Sequence, residues 1–333
     1  MASLSSASLT LWDIIKRLDP NGMVANIGEV LSHVSPIIGS APFKEGNQID
    51  GDKVTTRQSL PTISRRVFNQ GVAATKSTTA QASETVTLLS SQSKLDATLA
   101  ELNGSVGEER LSEDRAHLMA QTIQAEACML YDSVAIDPGQ CNGLITRLNG
   151  VVGTPYEKQV IRWNTGNTVT NTTLLLVGWG PETVCGIYPR GTSGGLKTQD
   201  MGPIMVPDAN NNLYRAYVTN FDWLLGAEVK DPRFIAAVRN IDMSLVTPGT
   251  LAAPVNDLLQ DADAAMHQIF STGSVNLQWY CSRALATVLD QMATNSLARS
   301  TLMRDDVAGK MVTMLHGVPV NISDGMTNTE ASV

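Results

Sequence analysis

The chain has 333 residues, more than one hydrophobic core usually serves, so two lobes are expected. With 43% hydrophobic and 17% charged residues, its composition is that of a globular protein and not of a disordered chain. The 24 Lys and Arg against 32 Asp and Glu leave a net charge of −8, the wrong balance for a general coat on DNA phosphates.

No run of eighteen apolar residues occurs, and MASLSSASLTLWDIIKRLD at 1–19 lacks a basic start followed by an apolar stretch. Neither a transmembrane helix nor a signal peptide is expected. Cys128, Cys141, Cys185 and Cys281 stand far apart with no CxxC pair, which predicts buried, reduced thiols.

In chain order, Leu11, Ile14, Ile15 and Leu18 are spaced for a helix over 9–19, stopped at Asp19-Pro20, and a second is expected over 23–34. The polar turn KEGNQIDGDK at 44–53 follows. Then KVTTRQSLPTISRRVFNQGVAATKSTT at 53–79 reads as two extended segments hinged at Pro61. Its apolar residues are too few for a core, so this arm needs another surface to lie on. For the same reason the fold is expected to survive without residues 44–76.

SKLDATLAELN at 93–103 predicts a short helix. A long one is expected from Glu108 to Asp132, roughly 35–40 Å, with Leu111, Leu118, Thr122, Ala125 and Met129 on one stripe. Beyond Ile136 the pattern turns to short strands. LLLVGWG at 174–180 and VCGIYP at 184–189 form a hairpin or bent pair around Pro181. In 213–229, Tyr217, Thr219, Phe221, Trp223 and Leu225 alternate as on a strand, and 233–241 is expected to return antiparallel to it. Pro254 starts a helix with Val255, Leu258, Ala262, Ala265 and Ile269 on one face. A further helix is expected over 277–293, and Gly317 breaks 310–322 into two strands.

Little here carries chemistry. GTSGGLKT at 191–198 is one residue off a phosphate-binding loop, but Leu196 stands where that loop needs Gly, and 198–203 cannot sustain the helix that should follow. His33, His117, His267 and His316 lie in separate elements without metal-ligand spacing, and no nucleophile elbow assembles Ser, His and Asp. No catalytic, cofactor-binding or metal-binding residue is assigned.

Four strings in order carry a resemblance: the extended arm at 57–79, the long helix, IDPGQCNGL at 136–144, and the closing TEASV. Together they resemble the major capsid protein of a short-tailed double-stranded DNA bacteriophage, of the Hong Kong 97-type fold. The resemblance implies an α+β architecture of five segments. They are an N-terminal arm (1–39), an extended β-loop (40–79), a peripheral domain with a spine helix (80–135), an axial domain with return helices (136–305), and C-terminal peripheral strands and tail (306–333). It implies a structural virion protein that self-assembles into pentamers and hexamers forming an icosahedral head around phage DNA, built in the host cytoplasm. The expected partners are further copies of the chain, a portal, packaged DNA bound without sequence specificity, and room for a cement or scaffold protein; no membrane is involved. An acidic wall would let the DNA slide. Some relatives cross-link Lys to Asn with a buried Glu, but no context singles out Lys53 or Lys76, so a non-covalent shell is expected. The alternatives are a decoration or tail protein and, much less favoured, a nucleotide-binding enzyme using 191–198.

Charge suggests how copies meet. Residues 40–76 carry a net +3, including Arg57, Arg65, Arg66 and Lys76, while 106–133 carry a net −4, including Glu108, Glu109, Glu113 and Asp114. In the family fold the loop lies over a neighbour's peripheral domain, so these eight residues are the expected inter-subunit contacts.

Overall fold

A computed structural model describes residues 35–102, 106–164, 169–208, 210–246, 253–273, 275–293, 302–307 and 310–333. The two helices expected at 9–19 and 23–34 lie outside the described residues. The described elements begin with α1 (Pro36–Ser40), β1 (Phe43–Glu45), β2 (Gly51–Ser59), β3 (Thr78–Thr85) and β4 (Thr87–Asp96). Then come α2 (Ala97–Leu102), α3 (Val106–Tyr131), α4 (Leu144–Arg147), β5 (Val160–Arg162), β6 (Asn171–Trp179) and β7 (Val184–Tyr188). β8 (Leu196–Pro207), β9 (Leu213–Val229), β10 (Ile235–Asp242), α5 (Ala253–Gln268), β11 (Asn276–Cys281) and α6 (Arg283–Ala293) follow. The chain ends with β12 (Leu302–Val307), β13 (Lys310–Leu315) and β14 (Val318–Ile322).

The chain divides into two compact units, and 195–224, expected within the axial segment, groups with 88–125. The larger unit holds 36–87, 126–194 and 225–333. Its core is built on β6, whose LLLV run is buried on both faces, as is every residue of β10. β10 pairs antiparallel with β6 and parallel with β5, not with β9 as expected, because its all-buried pattern requires a central place. On the other side β6 pairs with β11, and the sheet continues through β14 and β13 to β12. Leu258, Ala262 and Ala265 form the buried stripe of α5. β7 shares one rung with β6, at Trp179 and Val184, and pairs instead with β9 and β1.

Two expected helices are part strand. In 277–293, aromatic Trp279 and Tyr280 favour β11, and Ser282 then caps α6 by accepting from the Leu285 N–H at 3.4 Å. In 93–103 the strand runs to Asp96, whose carboxylate accepts from the Thr98 N–H at 2.8 Å and so starts α2. The break at Gly317 is a tight turn in which His316 and Gly317 both have positive φ, 54° and 73°.

The smaller unit, with 88–125 and 195–224, seats the first part of α3 on an antiparallel ladder of β8 and β9, with β4 on the other side of β9. α3 spans 26 residues, about 39 Å. Its stripe is uneven, since Leu111 is exposed while Ala125 and Met129 are buried. Polar contacts hold it instead. The Arg110 guanidinium lies 5.1 Å over the Tyr217 ring and 2.6 Å from Asp200, and the His117 ring stacks on Phe221. Gln121 donates to the Phe221 carbonyl at 2.8 Å.

Candidate assembly surfaces

β2 and β3 form a two-stranded ribbon of their own, from Gly51 opposite Thr85 out to Ser59 opposite Thr78. Its foot is built like a core. Asp52 and Glu84 face each other on one rung, 5% and 4% exposed, and each carboxylate is met by a cation from the body of the unit. Lys44 of β1 lies 2.5 Å from Asp52 and 2.6 Å from Glu228 of β9. Arg147 of α4 grips both Glu84 oxygens, at 2.5 and 2.7 Å, and donates to the carbonyls of Asn142 and Ala227. Forked contacts of this kind suit a guanidinium. Thr85 and Thr87 donate to the carbonyls of Gln140 and Gly139, so the IDPGQC turn receives the ribbon. A side chain at Gly226 would come within 2.6 Å of the Thr85 carbonyl, which is why β9 has Gly there.

The charges at the foot are uneven. Burial acts to lower Lys44, but its hydrogen bonds to Asp52 and Glu228 outweigh burial and hold it above the ordinary lysine value. Burial acts to raise Asp52, yet Lys44 holds it below the usual aspartate range. At Glu228, fully buried, burial wins over Lys44 and the carboxyl is pushed up. Cys185, whose thiol donates to Glu228 at 3.4 Å, is pushed up to about 12 by burial.

The tip is the opposite. Every residue from Leu60 to Lys76 is exposed, including Ile63 at 92% and Phe68 at 94%. The hydroxyls of Ser59 and Thr78 close the ladder at 2.6 Å, two residues before Pro61. Arg57, Arg65, Arg66 and Lys76 are all exposed. On α3, Glu108 is exposed and Glu113 and Asp114 are half-buried, but Glu109 is 1% exposed and so is not presented to a neighbour. The foot of the arm also corrects the expectation that 44–76 is dispensable: Lys44, Asp52 and Val54 belong to the packed body. Sequence reasoning missed Glu84, Arg147 and Glu228, which are scattered along the chain with no motif spacing.

A second buried cluster fixes the tail. Glu330 accepts from Tyr131 at 2.7 Å and from Thr173, and lies 3.3 Å from Arg239. Burial pushes Glu330 up against the pull of Arg239. Asn240 then holds both backbone groups of Val333.

The geometry at 191–198 is not that of a phosphate site. Leu196 opens a strand, not a helix, and the Glu45 carboxylate already takes the Gly191 N–H at 2.7 Å. All four cysteines are free and buried, with Cys141 pushed up to about 11 and Cys281 to about 12 by burial. Among the described residues no group of His, Cys, Asp and Glu could hold a metal, and no helix is long and apolar enough to cross a membrane.

A packed body that mounts a ribbon with a bare tip defines a subunit made to assemble with copies of itself, on the Hong Kong 97-type capsid fold. The chain belongs to the family described as major capsid protein GP7, whose model matches residues 19–333. It is a structural major capsid protein that forms the phage virion shell, and its place is the virion capsid. Among solved structures, a chain of bacteriophage Epsilon15 matches with a TM-score of 0.75 at 24% identity, over 100% of this chain and 99% of that one. A chain of the bacteriophage JBD30 capsid matches with a TM-score of 0.48 at 11% identity, over 90% and 94%. No curated protein matches.

Proposed function

We propose that copies of this chain close into pentamers and hexamers by head-to-tail contacts, and that these build an icosahedral head around phage DNA in the host cytoplasm. The segments 1–39, 40–79, 80–135, 136–305 and 306–333 act as arm, extended loop, peripheral domain, axial domain and C-terminal strands with tail. The observation that carries this proposal is the bare tip: Ile63 and Phe68 have no cover among the described residues. A neighbour's peripheral domain supplies it, with Arg57, Arg65, Arg66 and Lys76 drawn to Glu108, Glu113 and Asp114 of that neighbour. The chain does no catalysis and contacts portal, cement or scaffold protein and DNA through surfaces alone, the DNA without sequence preference.

Electron microscopy of the protein produced alone, beside a form lacking residues 60–77, tests this. Shells or rings are expected from the full chain, and folded single subunits from the shortened one. Small discrete oligomers from the full chain would instead favour a decoration or tail protein. ATP binding that disappears with Lys197→Ala would restore the enzyme alternative.

A further inference from the structure

The outer edge of β2 has a feature that pairing with β3 leaves unused. The Lys53 N–H donates to the Asn47 side-chain oxygen at 2.9 Å, and the Asn47 amide donates back to the Lys53 carbonyl at 3.0 Å. A side-chain amide thus makes on Lys53 the pair of bonds that an adjacent strand makes. In an antiparallel ladder, alternate residues turn their N–H and C=O to the same edge. Thr55 and Arg57, in unbroken register with Gln81 and Thr79, therefore turn theirs to the edge that Asn47 occupies at Lys53. Among the described strands none but β3 pairs with β2.

Beside this edge opens a cleft of about 1150 Å³, walled by β2 on one side and by Glu182, Lys230 and Arg233 on the other. That exceeds the roughly 300–1,000 Å³ of small-molecule pockets. Most charges around it are matched: Lys230 with Glu182 at 2.9 Å, Arg233 with Asp231 at 2.7 Å, and Lys44 with Asp52 and Glu228. Lys53 and Arg57 have no ion pair among the described residues. Both are exposed on one face of β2, roughly 13 Å apart along the strand.

We propose that the outer edge of β2 is a docking slot for an extended acidic segment of another protein, which pairs with Thr55 and Arg57 as a third strand. Lys53 and Arg57 select carboxylates four residues apart on the incoming segment. The same edge of a second copy does not fit, because antiparallel pairing would set Lys53 against Arg57, like charge opposite like. The slot shares Arg57 with the charge pairing proposed above, but its backbone pairing at Thr55 and Arg57 stands whether or not the tip works as proposed.

The test uses the purified full chain and two labelled eight-residue peptides of alternating Thr and Val, one with Glu at positions 3 and 7 and one with Lys there. Fluorescence anisotropy is expected to show binding of the Glu peptide only, with slowed hydrogen exchange at the Thr55 and Arg57 amides. Thr55→Pro removes an outward donor and no backbone bond to β3, only the exposed contact in which the Gln81 amide donates to the Thr55 hydroxyl at 3.3 Å, and strand edges tolerate proline. It is expected to weaken binding at least tenfold. Lys53→Glu with Arg57→Glu, which leaves the backbone intact, is expected to switch preference to the Lys peptide. Equal binding of both peptides by the wild type would overturn the proposal, as would undiminished binding in the Thr55→Pro chain. Slowed exchange at 55 and 57 that rises with protein concentration, without peptide, would overturn it by assigning the edge to a second copy.

Discussion

The foot and the tip of the β2–β3 ribbon belong to one excursion of chain and are built on opposite terms. At the foot, two facing carboxylates are buried and each is gripped by a cation from a different element. At the tip, every residue from 60 to 76 is open to solvent. The contrast separates two roles: the foot is anchored to the body, and the tip carries a surface left uncovered among the described residues.

The strongest way to break the contrast is at the foot. Arg147→Ala strands the buried Glu84 carboxylate, and losing one partner of a buried pair costs about 3–5 kcal/mol. Thermal unfolding of the variant is expected to show that loss, and Arg147→Met with Glu84→Leu to recover most of it.

The second prediction uses pH. Asp52 is held low in the folded chain, so its contribution is complete above the ordinary aspartate value and is lost as pH falls through the lowered one. Glu228 is pushed up, so its contribution is complete below the ordinary glutamate value and is lost as pH rises through the raised one. Glu228→Gln removes only the second dependence. Unfolding curves from pH 4 to 8 should show the variant gaining on the wild type as pH rises; a constant difference would mean that Glu228 does not titrate there.

At the tip the same measurements should find little. Ile63→Ser with Phe68→Ser is expected to change subunit stability by less than ~0.5 kcal/mol, as for exposed sites generally. Particle yield, counted by electron microscopy, is expected to collapse. A fall in melting temperature instead would place these side chains in a core.

The smallest effect per contact belongs to the charges. Arg65→Glu with Arg66→Glu is expected to slow assembly, and Glu108→Arg to restore it in part. Exposed pairs are worth ~0–1 kcal/mol each and are screened over ~8–10 Å at physiological salt. Assembly followed by light scattering should therefore weaken with salt. Normal shells from the double Arg variant would leave the interface to apolar and backbone contacts.

Patterns that depend on neighbours in sequence were legible. The LLLV run of β6, the stripe of α5, the long helix and the break at Gly317 all appear where periodicity and turn chemistry put them. Short apolar runs misled, since 277–281 fits strand and helix equally until Ser282 is seen as a cap. β8 left no trace because its exposed ladder mixes Lys, Gln, Asp and Met without alternation. The foot was out of reach for a different reason. Arg147 lies 63 residues from Glu84, and only the folded register brings Asp52 opposite it.

That facing pair also sets an order of events. Opposite residues of an antiparallel pair share a face, so Asp52 and Glu84 repel each other in a ribbon standing alone. Lys44 is close at hand in the chain, but Arg147 is made only after the whole ribbon has been synthesised. The ribbon is therefore expected to stay slack until the helix at 144–147 has folded against it, with the tip acquiring its direction late. Pulse-labelled hydrogen exchange during refolding should find β2 amides protected after those of β6, and the delay should shorten with Asp52→Asn. A subunit timed in this way would present its tip only after its own body had closed.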